Sequence, residues 1–286
     1  MGGCYSTPEA PKKDSTPAAN QRKGKKYLVH NSNQTALWKE TGVVNIQDER
    51  LHELPQSLIH VAKYVKNLDA SNNKLAEMSR CFINFLNLEH LSLSNNHISM
   101  IPPLIESFIH IKVLNMDLNH LQTLPESIGR LNKLETLSVY GNYLTDLPYS
   151  IQNLTSLKKI NVGRNRMLRI RGELALCSAL EELDFMNNEL ITLPLELAQL
   201  KNVKVLNVEN NMIKSIPEDI FKGWFSLHTF KVDGNHLPPK VLQQMAGYIE
   251  FEARRRSNFD ALISSKTDDA EMEHKAINLV EDLKSV

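Results

Sequence analysis

One residue returns along most of this chain at a fixed interval. Asn73, Asn96, Asn119, Asn142, Asn165, Asn188, Asn211 and Asn235 are separated by 23 residues six times and by 24 once. Around each runs the pattern L-x-x-L-x-L-x-x-N-x-L-x-x-L-P. It is clearest at Leu134, Leu137, Val139, Asn142, Leu144, Leu147 and Pro148, followed by Ile151 and Leu154. A degenerate earlier unit runs through Val44, Ile46, Leu51, Leu54 and Pro55, with Glu49 where the Asn should stand. A period of this size means one small structural unit per repeat, and no unit buries its apolar side alone. The 40 Leu and 27 Asn, against 11 Gly, are the compositional trace of that repetition.

The pattern has a physical reading. L-x-x-L-x-L is a short strand whose alternate side chains point inward. The Asn at its end turns inward, where its amide satisfies backbone groups left unpaired by a tight turn. Stacked, these residues form a ladder through the array. Pro after the last Leu has no N–H to contribute and suits the start of the convex segment. The sequence therefore predicts an α/β solenoid, a leucine-rich repeat horseshoe with a parallel sheet on its concave face. Residues 43–238 hold the repeats, 31–42 a short helical N-terminal cap and 239–263 a C-terminal capping helix. Asn31 or Ser32 caps the first helix, which ends near Thr41 with Gly42 as its stop, so that Leu37 and Trp38 cover the first repeat. After Pro238-Pro239, the second helix is expected to bury Val241, Met245, Tyr248, Ile249 and Phe259. Cys177 occupies a convex Leu slot and reads as a small core hydrophobe.

The N-terminus reads as a membrane address. Met1-Gly2-Gly3-Cys4-Tyr5-Ser6 matches the M-G-x-x-x-[ST] pattern, which makes Gly2 a candidate for myristoylation and Cys4 for palmitoylation. One myristoyl chain binds membranes with K of only about 10⁴ M⁻¹, so a second signal is needed. Cys4 and the cluster Arg22, Lys23, Lys25 and Lys26 are the candidates, each cation near an anionic surface adding about 1 kcal/mol. Residues 1–30 are thus expected to be a disordered, lipidated tether.

Charge and motifs exclude several functions. The chain holds 33 basic and 33 acidic side chains, so no chain-wide nucleic-acid footprint exists. That balance hides a polarity: residues 1–36 carry six basic and two acidic groups, and residues 264–286 three basic and six acidic. Three cysteines give no disulfide framework and point to a reducing compartment. No apolar run of about 18 residues spans a membrane, and the N-terminus has no secretory apolar region. No G-x-x-x-x-G-K-[ST], H-E-x-x-H, G-x-S-x-G or paired C-x-x-C is present. His97, His120 and His236 follow the repeat Asn, but the same slot holds Lys74, Tyr143, Arg166, Glu189 and Met212, so it reads as a solvated edge and not a metal site. The run Arg254-Arg255-Arg256 reads as solvated or paired with Glu250 and Glu252. Neither a cofactor nor a small-molecule substrate is expected.

That leaves the concave face as the place for a protein partner. Its first column reads Asp69, Ser92, Asn115, Ser138, Asn161, Asp184, Asn207, Lys231 and its second Ser71, Ser94, Asp117, Tyr140, Gly163, Met186, Glu209, Asp233. Most of this is short and polar. Tyr140 and Met186 stand out, with Leu118 one position further on, and Lys158, Lys159 and Arg164 add positive charge beside them. These six residues are the expected partner site, with the two large apolar side chains as exposed anchors.

The flanks carry a resemblance. Trp38-x-x-Thr41-Gly42-Val43-Val44 leads into Leu51-x-x-Leu54-Pro55. The other end reads Gln243-Gln244-Met245-x-Gly247-Tyr248-x-x-Phe251-Glu252-x-Arg254-Arg255-Arg256, then Phe259-Asp260. With Met1-Gly2, these resemble the family of small intracellular proteins called leucine-rich repeat-containing protein 57, and its plant relatives, over residues 1 to about 263. The resemblance implies a horseshoe, an N-terminal lipid anchor and no enzymatic activity. Ser79 and Arg171 at Pro slots and Glu49 at an Asn slot depart from the repeat. The expected function is that of a monomeric, non-enzymatic scaffold holding a protein partner at a cytoplasmic membrane surface. The alternatives are a regulatory subunit acting on a phosphatase or small GTPase and, against the absent motifs, an enzyme.

Overall fold

The computed structural model describes residues 32–264. Gly2, Cys4, the cluster Arg22, Lys23, Lys25 and Lys26, and the acidic segment 265–286 lie outside the described residues. Each repeat opens with a three-residue strand: β1 (Val43–Asn45), β2 (Asn67–Asp69), β3 (His90–Ser92), β4 (Val113–Asn115), β5 (Thr136–Ser138), β6 (Lys159–Asn161), β7 (Glu182–Asp184), β8 (Val205–Asn207) and β9 (Thr229–Lys231). They form one parallel sheet in chain order, each strand registered on its equivalent one repeat away, Leu114 beside Leu137 and Leu137 beside Ile160. The middle residue of each strand from β1 to β8 is buried, while its two neighbours face outward, as the twofold alternation of a strand requires.

After the ladder Asn the chain crosses to the convex side and winds into a short 3₁₀ turn. Pro102, Pro125, Pro148 and Pro194 stand just before these turns with φ between −67° and −72°, close to the angle the pyrrolidine ring imposes. Their carbonyls accept the N–H three residues on, at 3.0–3.2 Å. Arg171, at a Pro slot, adopts the same backbone (φ −72°, ψ 138°) and uses its side chain to reach back. Its guanidinium donates to Asp146 at 2.6 and 2.9 Å and lies 3.9 Å over the Tyr149 ring. The seventh interval, one residue longer, holds an α-helical turn, α2 (Ile220–Gly223), in place of the 3₁₀ turn. Cys177 is fully buried, as expected of a core residue; its thiol donates to the Ile151 carbonyl, and burial pushes its pKa up to about 12.

The ladder explains the fixed interval. The Oδ1 of Asn142 accepts the Leu121 N–H at 2.9 Å, and its Nδ2 donates to the carbonyls of Met116, Val139 and Tyr140 at 3.0–3.3 Å. Each ladder Asn repeats this, bonding its own repeat and the preceding one. Asn73 is the first rung, reaching back to Ile46 and Leu51 around the Glu49 position. The first concave column has a matching role: Asp69, Asn115, Asn161, Asp184 and Asn207 each accept the N–H two residues on, at 2.9–3.1 Å. Where that column holds Ser138, Asp117 reaches across from the neighbouring repeat to the Tyr140 N–H and the Ser138 hydroxyl. Burial raises the carboxyls of Asp117 and Asp184 above the usual carboxylate range.

The caps differ in part from expectation. The first helix, α1 (Ser32–Thr41), ends at Gly42 (φ +69°), and Trp38 is buried, whereas Leu37 is exposed. The C-terminal cap is two helices, α3 (Pro239–Gln244) and α4 (Tyr248–Ser264), broken at Gly247 with φ +84°. The break resets the helical phase. Met245 and Tyr248 are buried as predicted, but Val241 faces out, Ile249 is 74% exposed, and Phe251 and Arg255 take the inner positions. The Phe259 side chain lies outside the described residues. Phe221 of α2 is the centre of this cap, its ring 5.4–5.8 Å from those of Trp224, Phe230, Tyr248 and Phe251. The basic run serves the same junction: Arg254 donates to the Trp224 carbonyl at 3.0 Å, and Arg255 pairs with Glu252 at 3.0 Å.

Two stability measurements follow. Asn142→Ala orphans buried groups in two repeats and should cost on the order of 3 kcal/mol in urea unfolding, whereas Asn235→Ala, at the half-buried end of the ladder, should cost less. For Asp184, ionisation is penalised in the folded chain, so at neutral pH it lowers stability relative to an amide, and the penalty fades as pH falls through the raised folded value toward the unfolded one. Asn207 makes the same turn with an amide. Asp184→Asn should therefore raise the urea midpoint at neutral pH and give no gain at about pH 3.

Candidate protein-binding face

The concave sheet opens on solvent and carries two kinds of surface. One is a column of paired charges. Seven residues before each ladder Asn from Asn73 to Asn211 stands a charge whose sign alternates along the array: Lys66, Glu89, Lys112, Glu135, Lys158, Glu181, Lys204. Stacking at the repeat interval places each beside the next. Glu89 pairs with Lys112 at 2.7 Å and Lys66 at 3.4 Å, Glu135 with Lys158 at 2.7 Å, and Glu181 with Lys204 at 2.7 Å. The lysine hydrogen bonds hold Glu89, Glu135 and Glu181 below the usual carboxylate range. The positive charge expected at Lys158 and Lys159 is therefore paired. Lys158 is bound to Glu135, and Lys159 to Glu182 at 2.8 Å. The signal was visible in the sequence as a sign change every 23 residues, but only stacking turns it into ion pairs.

The other surface lies at mid-array. Tyr140 and Met186 are in repeats on either side of Gly163, and both side chains lean into the space the glycine leaves. A Cβ at Gly163 would stand 3.0 Å from Tyr140 Cδ2 and 3.1 Å from Met186 Cγ. The two predicted anchors are thus brought together, yet half-buried instead of projecting, because the glycine lets them lie down on the sheet. Alongside, an open concavity of about 440 Å³ spans β5 to β9, with Asp184, Asn207 and Lys231 on its lining.

Leu118, Gly141 and Arg164 form the next column, at the rim where the strands end. Every described repeat takes a positive φ here, and the other occupants are Asp48 in the degenerate first unit, Asn72, Asn95, Asn187 and Asn210, or the glycines Gly141 and Gly234. Leu118 (φ +52°) and Arg164 (φ +53°) hold that conformation with side chains it disfavours by roughly 1–2 kcal/mol per residue. Leu118 is 44% exposed and leans over Gly141, where a Cβ would meet its Cδ2 at 2.7 Å. Two positions further, past the ladder Asn, His97, His120, Tyr143 and Arg166 stack in order. The ring centroids are 5.4 and 5.9 Å apart, and the Arg166 guanidinium sits 4.8 Å from the Tyr143 ring. The two histidines meet edge to face, and no group of three or more His, Cys, Asp or Glu among the described residues is placed to hold a metal ion. Nor is any described helix long and apolar enough to cross a membrane.

Comparison with known proteins agrees with this architecture. Residues 71–230, more than half of the chain, match the family described as "Leucine-rich repeat region". Plant intracellular Ras-group-related LRR protein 7 of Oryza sativa subsp. japonica is 33% identical over 54 residues, 19% of this chain and 21% of that protein. Among solved structures, a leucine-rich repeat protein of Leptospira interrogans superposes with a TM-score of 0.64 at 30% identity, over 73% of this chain and 60% of its own. The leucine-rich repeat ectodomain of the Arabidopsis thaliana receptor kinase GASSHO1/SCHENGEN3, solved in complex with CASPARIAN STRIP INTEGRITY FACTOR 2, superposes at 0.57 and 28% identity, over 68% of this chain and 24% of its own. The chain thus spans less than two thirds of each of these proteins. Leucine-rich repeat proteins generally act in protein–protein interaction. With its repeats, its sheet and this match in agreement, the chain belongs to the leucine-rich repeat family.

Proposed function

We propose that this chain is a non-enzymatic scaffold that takes a protein partner on its concave face and is held, as a monomer, at the cytoplasmic side of a membrane by N-terminal acylation. The observation that carries the binding half is the break in repetition at mid-array. A face otherwise built from short polar residues and closed ion pairs carries Leu118, Tyr140, Arg164 and Met186 around two glycine gaps. Large side chains gathered on a solvent-facing surface, with no repeat-building role of their own, are the usual material of interaction anchors. The Arabidopsis receptor solved with its partner supports a binding role for a solenoid of this kind.

The membrane half rests on Gly2, Cys4 and the cluster Arg22, Lys23, Lys25 and Lys26, an acylation pattern with two possible second signals. An intracellular setting is supported by the name of the rice relative and by the three unpaired-pattern cysteines. The flanking motifs shared with the leucine-rich repeat-containing protein 57 family support the same reading.

Two experiments test the two halves separately. Affinity capture from solubilised membranes should recover specific proteins with the wild-type chain and lose them with Tyr140→Ala plus Met186→Ala, at unchanged thermal stability; equal capture rejects the face. In cell fractionation, wild type should sediment with membranes and Gly2→Ala should move to the soluble fraction. If both distribute alike, the anchor is excluded.

A further inference from the structure

The fifth repeat is the most basic of the array, with Lys158, Lys159, Arg164, Arg166, Arg169 and Arg171. Four of these six are neutralised inside the fold, Lys158 by Glu135, Lys159 by Glu182, and Arg169 and Arg171 by Asp146. Arg164 and Arg166 form no ion pair with any described carboxylate. Arg166 lies over Tyr143 in the preceding repeat, its guanidinium 4.8 Å from the ring centroid. Both arginines border one open hollow of about 390 Å³ at the rim, closed on its other side by Leu118, Gly141 and Tyr143. Arg164 and Leu118 hold disfavoured backbone to stand there, at positions filled by Asn, Gly or Asp in the other repeats. Strain retained at two places, on either side of Gly141, that line one hollow points to use.

We infer that this rim hollow is a docking site for an extended acidic segment of a protein partner. One Asp or Glu carboxylate is gripped by Arg164 and Arg166, and an apolar side chain two residues away, on the same face of the extended chain, packs on Leu118. Charge complementarity selects the carboxylate: two planar forks without an internal anion border one hollow, while the other four cations of the same repeat are paired. The exposed Leu118 and Tyr143, 44% and 40% accessible, select an apolar neighbour for the acid. The inference rests on the scaffold reading above and names the chemistry of its partner.

The test is fluorescence anisotropy of the full chain with a labelled peptide, Gly-Ser-Leu-Ser-Asp-Ser-Leu-Ser-Gly, at low ionic strength. An Asn-for-Asp peptide, a phosphoserine-for-Asp peptide and phosphatidylserine vesicles serve as comparisons. Arg164→Asn with Arg166→Gln should weaken the Asp peptide by about tenfold or more, as loss of charge-assisted bonds requires. Leu118→Asn should weaken it by about threefold. Both substitutions at the strained positions install the residue that neighbouring repeats use there, so folding is retained, and thermal melting checks it. Equal binding of the Asp and Asn peptides, or Asp-peptide binding unchanged by the arginine substitutions, overturns the assignment. So does arginine-dependent binding of only the phosphoserine peptide or the vesicles. If the Asp peptide fails while Tyr140→Ala plus Met186→Ala still abolishes capture, the hollow is rejected and the scaffold reading stands. If the peptide binds as described and capture is unchanged, the Tyr140–Met186 face is rejected and the hollow stands.

Discussion

Each buried carboxamide of the asparagine column bonds two repeats at once, and the rest of the structure depends on it. A parallel sheet with one open face has no helix layer to cover that side, and its strands here are only three residues long. The backbone leaving each strand turns sharply, and its carbonyls and N–H groups are buried where water does not reach. A single side chain carrying two donors and an acceptor satisfies them, and no apolar residue can stand in for it. Shape-filling slots accept more variety: the position three before the rung holds Ala70, Leu93, Met116, Val139, Val162, Phe185 and Val208, all buried.

Stacking at one interval also sets an electrostatic rule. Any charged column brings like residues of successive repeats into contact, so a uniform column would repel itself. Alternating sign turns that liability into a line of ion pairs from Lys66 to Lys204. Exposed pairs of this kind add little stability one by one, and their larger effect is to neutralise this one column. Arg164 and Arg166 have no such partner among the described carboxylates.

The fold was legible because periodicity is a one-dimensional record of stacking. The strands, ladder and buried Cys177 follow from the interval between asparagines, and the N-terminal helix from its capping and stop residues. What depended on side chains meeting across repeats was harder to read. Tyr140 and Met186 were recognisable as intruders in a polar column, but that they lie down over Gly163 follows from a missing Cβ one repeat away from each. Lys158 and Lys159 looked like free charge because their carboxylate partners stand 23 residues distant in each direction, at Glu135 and Glu182. At the C-terminal cap, a continuous helical phase placed Ile249 inside. Gly247 breaks that phase and hands the inner positions to Phe251 and Arg255. Arg166 was counted as one more polar residue in a tolerant slot, and only its turn toward Tyr143 sets it apart.

The rungs all point one way. Asn142 serves Leu121 and Met116 in the repeat before it, and Asn235 serves Ile213 and Val208. A repeat's own backbone is thus completed by the repeat that follows it in the chain. During synthesis from the N-terminus, the last repeat made lacks the Asn contacts that the next one supplies. The ladder therefore has a direction along the chain. The aromatic knot around Phe221, with α3 and α4 behind it, is where it stops.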